Sequence, residues 1–273
     1  MRIEHTLSLR ADTRRPIRVL VIGAGGTGSA ITMGLPYLDQ ALRVWGRLAG
    51  LDVVLMDADT VSETNCIRQP FSFSDIGQNK TTVLVNRINL FWGTNWKAEP
   101  RNFDERTFER IQDTSIDFLI GCVDSRAARS VIARSLVKSN NRTAYWLDLG
   151  NNAASGQFVL GQPWNARNRR SAERLRAVNE LYPEIADVKA GEDSLPSCSA
   201  VEALERQEPF INQALAMSAL AMLARLLRYG KLAHHGGFFN AATGKMTALP
   251  VDPKLWRKVR LRNRKIQAKL PTR

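Results

Sequence analysis

Asp57, Asp59, Asn65, Arg68 and Gln69 fall in one short stretch, DADTVSETNCIRQPF. Acids stand at its start and a guanidinium near its end. A carboxylate can accept from hydroxyls, and an arginine fork can grip an anion bidentately. The stretch therefore suits a ligand with hydroxyls at one end and negative charge at the other. Upstream, GAGGTG sets Gly23, Gly25 and Gly28 in a close series; downstream come Lys80 in DIGQNK and Asp124 in CVDSRAAR. Lys80 can act as a point charge on an anion. An acid such as Asp124, set among phosphates, suits Mg²⁺, which takes carboxylate and phosphate oxygens.

These residues need a scaffold that brings them to one edge. IRVLVIG (17–23) is a short β-branched run of the kind buried on both faces of a parallel sheet, and LDVVLMD (51–57) is a second. The glycines lie between the first strand and a helix, where they permit a tight turn and a close approach of phosphate to the helix N-terminus. Taken alone, they equally suit the packing of a helix on a strand. Gly34 and Pro36 predict an early end or kink in that helix, with YLDQALRVWGRLAG as a second helical piece. A helix over SDIGQNKTTVLVNRINLF, a strand in WKAEPRNF, a strand in SIDFLIGCVDS, a helix in SRAARSVIARSLVKS and a strand in TAYWLDLG follow. Alternating strands and helices predict an α/β, Rossmann-like, doubly wound sheet, mostly parallel, with helices on both faces. Late in the chain, VEALERQEPFINQALAMSALAMLARLL supplies one or two helices, and GGFFNAATGKMTALPVD reads as an antiparallel hairpin turning near Thr243-Gly244.

In such a sheet Asp57 and Asp124 each follow a strand, at the carboxyl edge where ligands bind. Asp57 lies 29 residues beyond Gly28, more than the ~20 of a dinucleotide fingerprint, and the extra helical piece around Trp45 absorbs the difference. A nicotinamide cofactor would use the glycines and Asp57 but leave Arg68, Lys80 and Asp124 idle. A triphosphate with Mg²⁺ uses them all, so the residues point to ATP.

The pattern Asp57-x-Asp59-x-Val61-x-x-x-Asn65-x-x-Arg68-Gln69, with DIGQNK and CVDSRAAR, resembles the ThiF/MoeB family, the adenylating domains of ubiquitin-like-protein activation. The resemblance runs from about Ile17 to about Leu160 and continues faintly through the late helix and hairpin. Within the family it is most similar to ThiF-type proteins of the plasmid-borne PRTRC system. The resemblance implies that Gly23, Gly25 and Gly28 line the phosphates and that Asp57 takes the ribose. It sets Asp59 near the reacting end, and Asn65, Arg68, Gln69 and Lys80 on the phosphates. Asp124 would hold Mg²⁺. The implied reaction is adenylation of the C-terminal carboxylate of a small ubiquitin-like protein ending in glycine. The family also implies a homodimer formed through the nucleotide domain. Cys198, in LPSCSAVEA, lies where family members that form a thioester carry their cysteine; the other reading is an inert thiol at a helix cap. Departures are visible. The family's Thr-Asp-Asn is Val123-Asp124-Ser125 here, the paired Cys-x-x-Cys motifs of structural zinc are missing, and the N-terminal helix that lends a partner an arginine is short, leaving Arg10, Arg14 or Arg15.

Composition sets the outer bounds. The 273 residues are 44% hydrophobic and 24% charged, enough for a sizeable core. No apolar run approaches the ~20 residues of a membrane span, and the first residues lack a signal peptide's apolar segment. Three cysteines without paired spacing speak against a disulfide framework and for a reducing cytoplasm. The three histidines, His5, His234 and His235, read as loop or terminal bystanders. Residues 1–252 are expected to form one adenylation domain, with polar 162–199 as a long connection crossing the sheet. Residues 253–273 carry nine bases and no acid, much of the net charge of +13, and could meet nucleic acid or an acidic partner. The apolar helix around Gln213–Leu227 is either core or interface. Two other readings stand beside the enzyme: a non-catalytic nucleotide-binding scaffold, and a NAD-dependent oxidoreductase.

Overall fold

The computed structural model describes residues 3–9, 12–111, 115–171, 173–187 and 210–267. An eight-stranded sheet runs through it. Strand β1 (His5–Thr6) lies outside that sheet, paired with β8 (Lys231–Leu232). The sheet begins at β2 (Ile17–Ile22), followed by helix α1 (Gly26–Val44), β3 (Leu51–Met56), the short α2 (Glu63–Arg68), α3 (Lys80–Trp92) and β4 (Lys97–Glu99). Helix α4 (Glu105–Ile111), β5 (Phe118–Gly121), α5 (Arg126–Leu136), β6 (Tyr145–Asn151) and β7 (Ser155–Gly161) come next. The chain closes with α6 (Val178–Leu181), α7 (Ile211–Tyr229), β9 (His234–Asn240), β10 (Lys245–Pro250) and α8 (Pro253–Gln267). The spatial order is β10-β9-β7-β6-β5-β2-β3-β4.

Strands β6, β5, β2, β3 and β4 are parallel, and β7, β9 and β10 extend them antiparallel. The α/β, doubly wound expectation holds. From β2 the chain winds outward through β3 and β4, then returns to lay β5 and β6 on the other flank. The strand order reverses between β2 and β5, which opens a crevice at their carboxyl ends. Consecutive residues of β2, β5 and β6 are buried, as in strands covered on both faces. The hairpin turns at Gly244, whose φ of +65° suits a residue without Cβ. No helix among the described residues is long and apolar enough to cross a membrane.

Helix α1 departs from expectation. It runs unbroken for 19 residues through Gly34 and Pro36. A Cβ on Gly34 would come within 2.4 Å of the Leu220 side chain of α7. The two helices pack closely there, and buried Leu35, Leu38 and Leu42 continue the contact surface. Tertiary burial outweighs the hydrogen bond that Pro36 withholds from the Thr32 carbonyl. The apolar face of α7, with Leu215, Ala219, Leu223 and Leu226, is core.

Three other differences follow, two of them from polar groups buried with partners. The segment after β7 is packed as far as 187, the last residue described before 210. Asn168 donates to the carbonyls of Thr143, Ala144 and Pro163, and Asn165 to that of Thr143. Arg174 is buried and bonds both oxygens of Glu180, at 2.7 and 2.6 Å. Strand β7 itself, unforeseen, pairs antiparallel with β6. The histidines lie in strands. His5 is buried 2.9 Å from the Tyr145 hydroxyl, and His235 is fully buried, 2.7 Å from the Leu160 carbonyl. Burial pushes the His235 imidazole down to about 4. Trp256 of α8 is buried edge-on to His235, so the first turns of the basic helix dock on the body.

Candidate active site at the sheet's carboxyl edge

The loop after β2 is shaped by two glycines. Gly23 has a φ of +95°, a left-handed conformation that side chains disfavour. A Cβ on Gly28 would fall 1.8 Å from the Gly23 carbonyl oxygen, so the first turn of α1 closes on the loop only with glycine there. Gly25 caps α1, and nothing lies within 4 Å of where its Cβ would be. There is space at the Gly25 cap, while the first helical residue, Gly26, packs against the Asn212 side chain; at the cap the backbone N–H groups and the positive end of the helix dipole suit an anion.

Asp57 follows β3 and reaches across to that loop. Its carboxylate accepts from the Ala24 N–H at 2.5 Å and the Asp59 N–H at 2.8 Å. Burial raises the carboxyl above its ordinary value, while those two donors and the charge of Lys80 pull it down. Asp59 meets Lys80 at 3.0 Å; the Lys80 side chain is 8% exposed and the Asp59 side chain 68%. Asn79 caps α3 by accepting from the Thr81 and Thr82 N–H groups, and its amide donates to the Asp57 and Asp59 carbonyls. One residue thus ties the β3 loop to the helix that carries Lys80.

Between them, α2 carries Asn65, Arg68 and, just past its end, Gln69. Asn65 is buried, and its side-chain carbonyl accepts from the Ser62 N–H in a reciprocal cap. Arg68 is half-buried in the helix's last turn. The Gln69 side-chain oxygen is buried with no hydrogen-bond partner among the described residues.

Asp124 lies beyond β5, exposed, on a cleft of about 430 Å³ shared with Arg126, Arg129, Gln157, Tyr182 and Phe238. Exposed Glu184 lines the same cleft, and exposed carboxylates of this kind fit Mg²⁺ that arrives with phosphates, because that ion keeps waters and takes few protein ligands. Among the described residues, no group of three or more His, Cys, Asp or Glu is placed to hold a metal by itself. Cys198 lies outside the described residues. Cys66 reaches the Ser62 carbonyl at 3.7 Å, and burial pushes the Cys122 thiol well up. Of the N-terminal arginines, Arg15 bonds Ser115 and Asp117, ahead of β5 at the opposite edge.

Sequence reasoning missed Arg129 and Asp148. Both are buried, with the Arg129 Nε 3.3 Å from an Asp148 oxygen. The same guanidinium donates to the carbonyls of Asp124 at 3.4 Å and Leu149 at 3.2 Å. Burial pushes the Asp148 carboxyl up to about 6, and Arg129 pulls the other way. The signal was an acid inside TAYWLDLG, since a carboxylate in a strand buried on both faces demands a partner. A polar cluster was also missed: the Thr27 hydroxyl lies 2.8 Å from the Asn212 carbonyl oxygen and 3.1 Å from that of Asn151.

A glycine turn, two strand-end acids and a buried lysine therefore gather along the carboxyl edge of one parallel sheet. The model of the ThiF family matches residues 10–266. The chain belongs to the ThiF family. No curated protein sequence matches it. Among solved structures, PaaA superposes with a TM-score of 0.58 at 14% identity, covering 88% of this chain and 65% of that one. E. coli MccB with ATP gives 0.56 at 16% identity, covering 88% and 65%. E. coli MccB with AMPCPP and MccA gives 0.57 at 17%, covering 88% and 66%. This ThiF-family chain thus spans less than two thirds of each of those proteins, and at such identities the likeness speaks for the fold.

Proposed function

We propose that this chain is a ThiF-type adenylyltransferase that uses Mg-ATP to activate the C-terminal carboxylate of a small ubiquitin-like protein ending in glycine. The observation that carries this reading is the row of groups at the carboxyl edge. The α1 N-terminus, open at Gly25, and Gly23, Gly25 and Gly28 suit the phosphates. Asp57 has the position and acceptor capacity for ribose hydroxyls. Lys80, with Arg68, Asn65 and Gln69 of the same loop region, suits the β- and γ-phosphates. Mg²⁺, held by Asp124 and phosphate oxygens, would supply charge stabilisation.

The chemistry suits such a site. A terminal carboxylate has a pKa near 3.5 (roughly) and is ionised at neutral pH, so no general base is required. Its oxygen attacks the α-phosphorus; the bond to the bridging oxygen of pyrophosphate breaks, and pyrophosphate leaves with its electron pair. The obstacle is bringing an anion to an anion, which Lys80, Arg68 and the helix N-terminus lower by alignment and charge. Lys80 would exchange Asp59 for phosphate as ATP enters, which leaves Asp59 near the reacting end. Cys198 is the candidate to receive the acyl group as a thioester. MccB crystallised with MccA is consistent with a small protein or peptide as the acceptor class. A homodimer and membership of the PRTRC subtype belong to the same proposal, as does a nucleic-acid or acidic partner for the basic helix α8.

The test is ATP–pyrophosphate exchange in the presence of candidate acceptor proteins. Arg68→Ala and Asp124→Ala should each abolish acceptor-dependent exchange. Robust exchange by both variants would sink the site assignment. Tight ATP binding without exchange, across acceptors, would favour a scaffold. Stabilisation by NAD rather than Mg-ATP would favour the oxidoreductase.

A further inference from the structure

Helices α1 and α7 pack against each other, and the character of the contact changes from one end to the other. Midway, Gly34 faces the Leu220 and Met217 side chains, an apolar contact that packing alone explains. Eight residues earlier on each helix, at the carboxyl edge, Gly26 faces Asn212 instead. A Cβ on Gly26 would fall 2.5 Å from the Asn212 side-chain nitrogen, so the amide rests directly on the α1 backbone. The Asn212 carbonyl oxygen accepts from the Thr27 hydroxyl at 2.8 Å, and that of Asn151, at the end of β6, lies 3.1 Å from the same hydroxyl. The hydroxyl has one proton to give, and the shorter contact is the one to α7. Thr27 and Asn212 are both buried. Every other buried residue of α7 is apolar. A buried amide costs free energy that an apolar side chain at the same place would not, so packing alone does not explain Asn212.

Residues 26 and 27 open the first turn of α1, next to the Gly25 cap. The turn and its loop are held from other sides as well: Gly28 closes on the Gly23 carbonyl, and Asp57 accepts from the Ala24 N–H. We infer that Asn212 is a positioning residue of the nucleotide site. By holding Thr27 from α7, it fixes the first turn of α1 where its N–H groups meet a phosphate. Such a site tolerates little displacement, since its donors must stand within hydrogen-bond reach of the phosphate oxygens. The inference rests on the reading of this turn as the phosphate end of the ATP site, and adds to that site a residue from the late helix.

The experiment is calorimetric titration of the full chain with Mg-ATP, with adenosine binding read by ligand-observed NMR. Thr27→Val keeps the shape and removes the hydroxyl; it should weaken Mg-ATP binding about five- to tenfold, the scale of one buried hydrogen bond. Thr27→Ser keeps the hydroxyl and should bind within about twofold of the parent. Asn212→Ala should match Thr27→Val, and the double variant should bind no more weakly than the worse single variant, since both changes remove the same bond. Adenosine has no phosphates and should bind parent and variants alike. Should Asn212→Ala fold poorly, Thr27→Val and Thr27→Ser still decide. Three outcomes overturn the inference: Mg-ATP affinity unmoved by Thr27→Val, Thr27→Ser as weak as Thr27→Val, or ATP and adenosine weakened alike, which marks a general loosening. Each of these leaves the nucleotide reading standing. A parent that binds no Mg-ATP sinks that reading, and the inference falls with it.

Discussion

On the β3 side of the crevice, buried Lys80 reaches an Asp59 side chain that is 68% exposed. On the β6 side, Arg129 meets Asp148 with both side chains buried, 7% and 1% exposed. The first pair can open when another anion takes the place of Asp59 on the buried Lys80, because water receives the carboxylate as it leaves. The second cannot, because neither charge has solvent to return to. The contrast separates a cation free to change partners from one fixed to hold a loop, since Arg129 also bonds the Asp124 carbonyl. A binding edge needs both.

Replacing each cation by methionine sharpens this comparison, because the stem stays and the charge goes. Arg129→Met leaves Asp148 as an unpaired buried carboxylate and should cost about 3–5 kcal/mol of stability. Urea denaturation reads it; a loss under ~1 kcal/mol would mean that the pair adds little to the fold. Lys80→Met should barely move the denaturation midpoint, yet lower acceptor-dependent exchange by roughly 100-fold or more, the scale of losing one preorganised charge at a reacting phosphate. If the two variants exchanged these phenotypes, the division of roles would fail.

The next effect is smaller and depends on pH. The folded carboxyl of Asp148, pushed up to about 6, stands above its ordinary 3.8. Folding therefore favours its protonated form, and that contribution, present at low pH, is lost as pH rises through 6. His235 behaves oppositely. Its folded value of about 4 lies below the ordinary 6.5, so it destabilises the fold as pH falls through that interval. The two slopes oppose each other between about pH 4 and 6. Asp148→Asn should unmask the histidine, so that unfolding free energy climbs more steeply with pH there than in the parent. A profile parallel to the parent's would show that Asp148 does not titrate in this window.

The sheet was legible because its strands are apolar β-branched runs and its acids fall at strand ends. IRVLVIG and LDVVLMD could hardly be anything else. The site's edge was legible for the same reason, through the placement of Gly23, Asp57 and Asp124. What escaped was set by tertiary contact. Gly34 and Pro36 look like breakers until α7 is seen against them. Asn165, Asn168 and Arg174 look like loop residues until their backbone partners appear. Arg129 and Asp148 lie 19 residues apart in sequence and mean little singly, since each charge makes sense only with the other. Asn65 shows what motif reading leaves out: its carbonyl oxygen holds the start of α2, a role that only the fold reveals.

The smallest effect tests the openable pair from its exposed side. Asp59→Asn removes the charge that Lys80 faces but leaves an oxygen to accept from it. An ion pair with so exposed a carboxylate contributes at most about 1 kcal/mol, so the denaturation midpoint should shift little. The binding consequence has a definite sign. In the parent, ATP must displace Asp59 from Lys80 and bring its phosphates toward a carboxylate; in the variant both penalties fall. Asp59→Asn should therefore bind ATP at least as tightly as the parent by calorimetry. If Asp59 also acts at the reacting end, exchange should drop in the same variant. Weaker ATP binding would instead mean that Asp59 touches the nucleotide directly, and Lys80 would then be held on the phosphates by Asp59 rather than released to them.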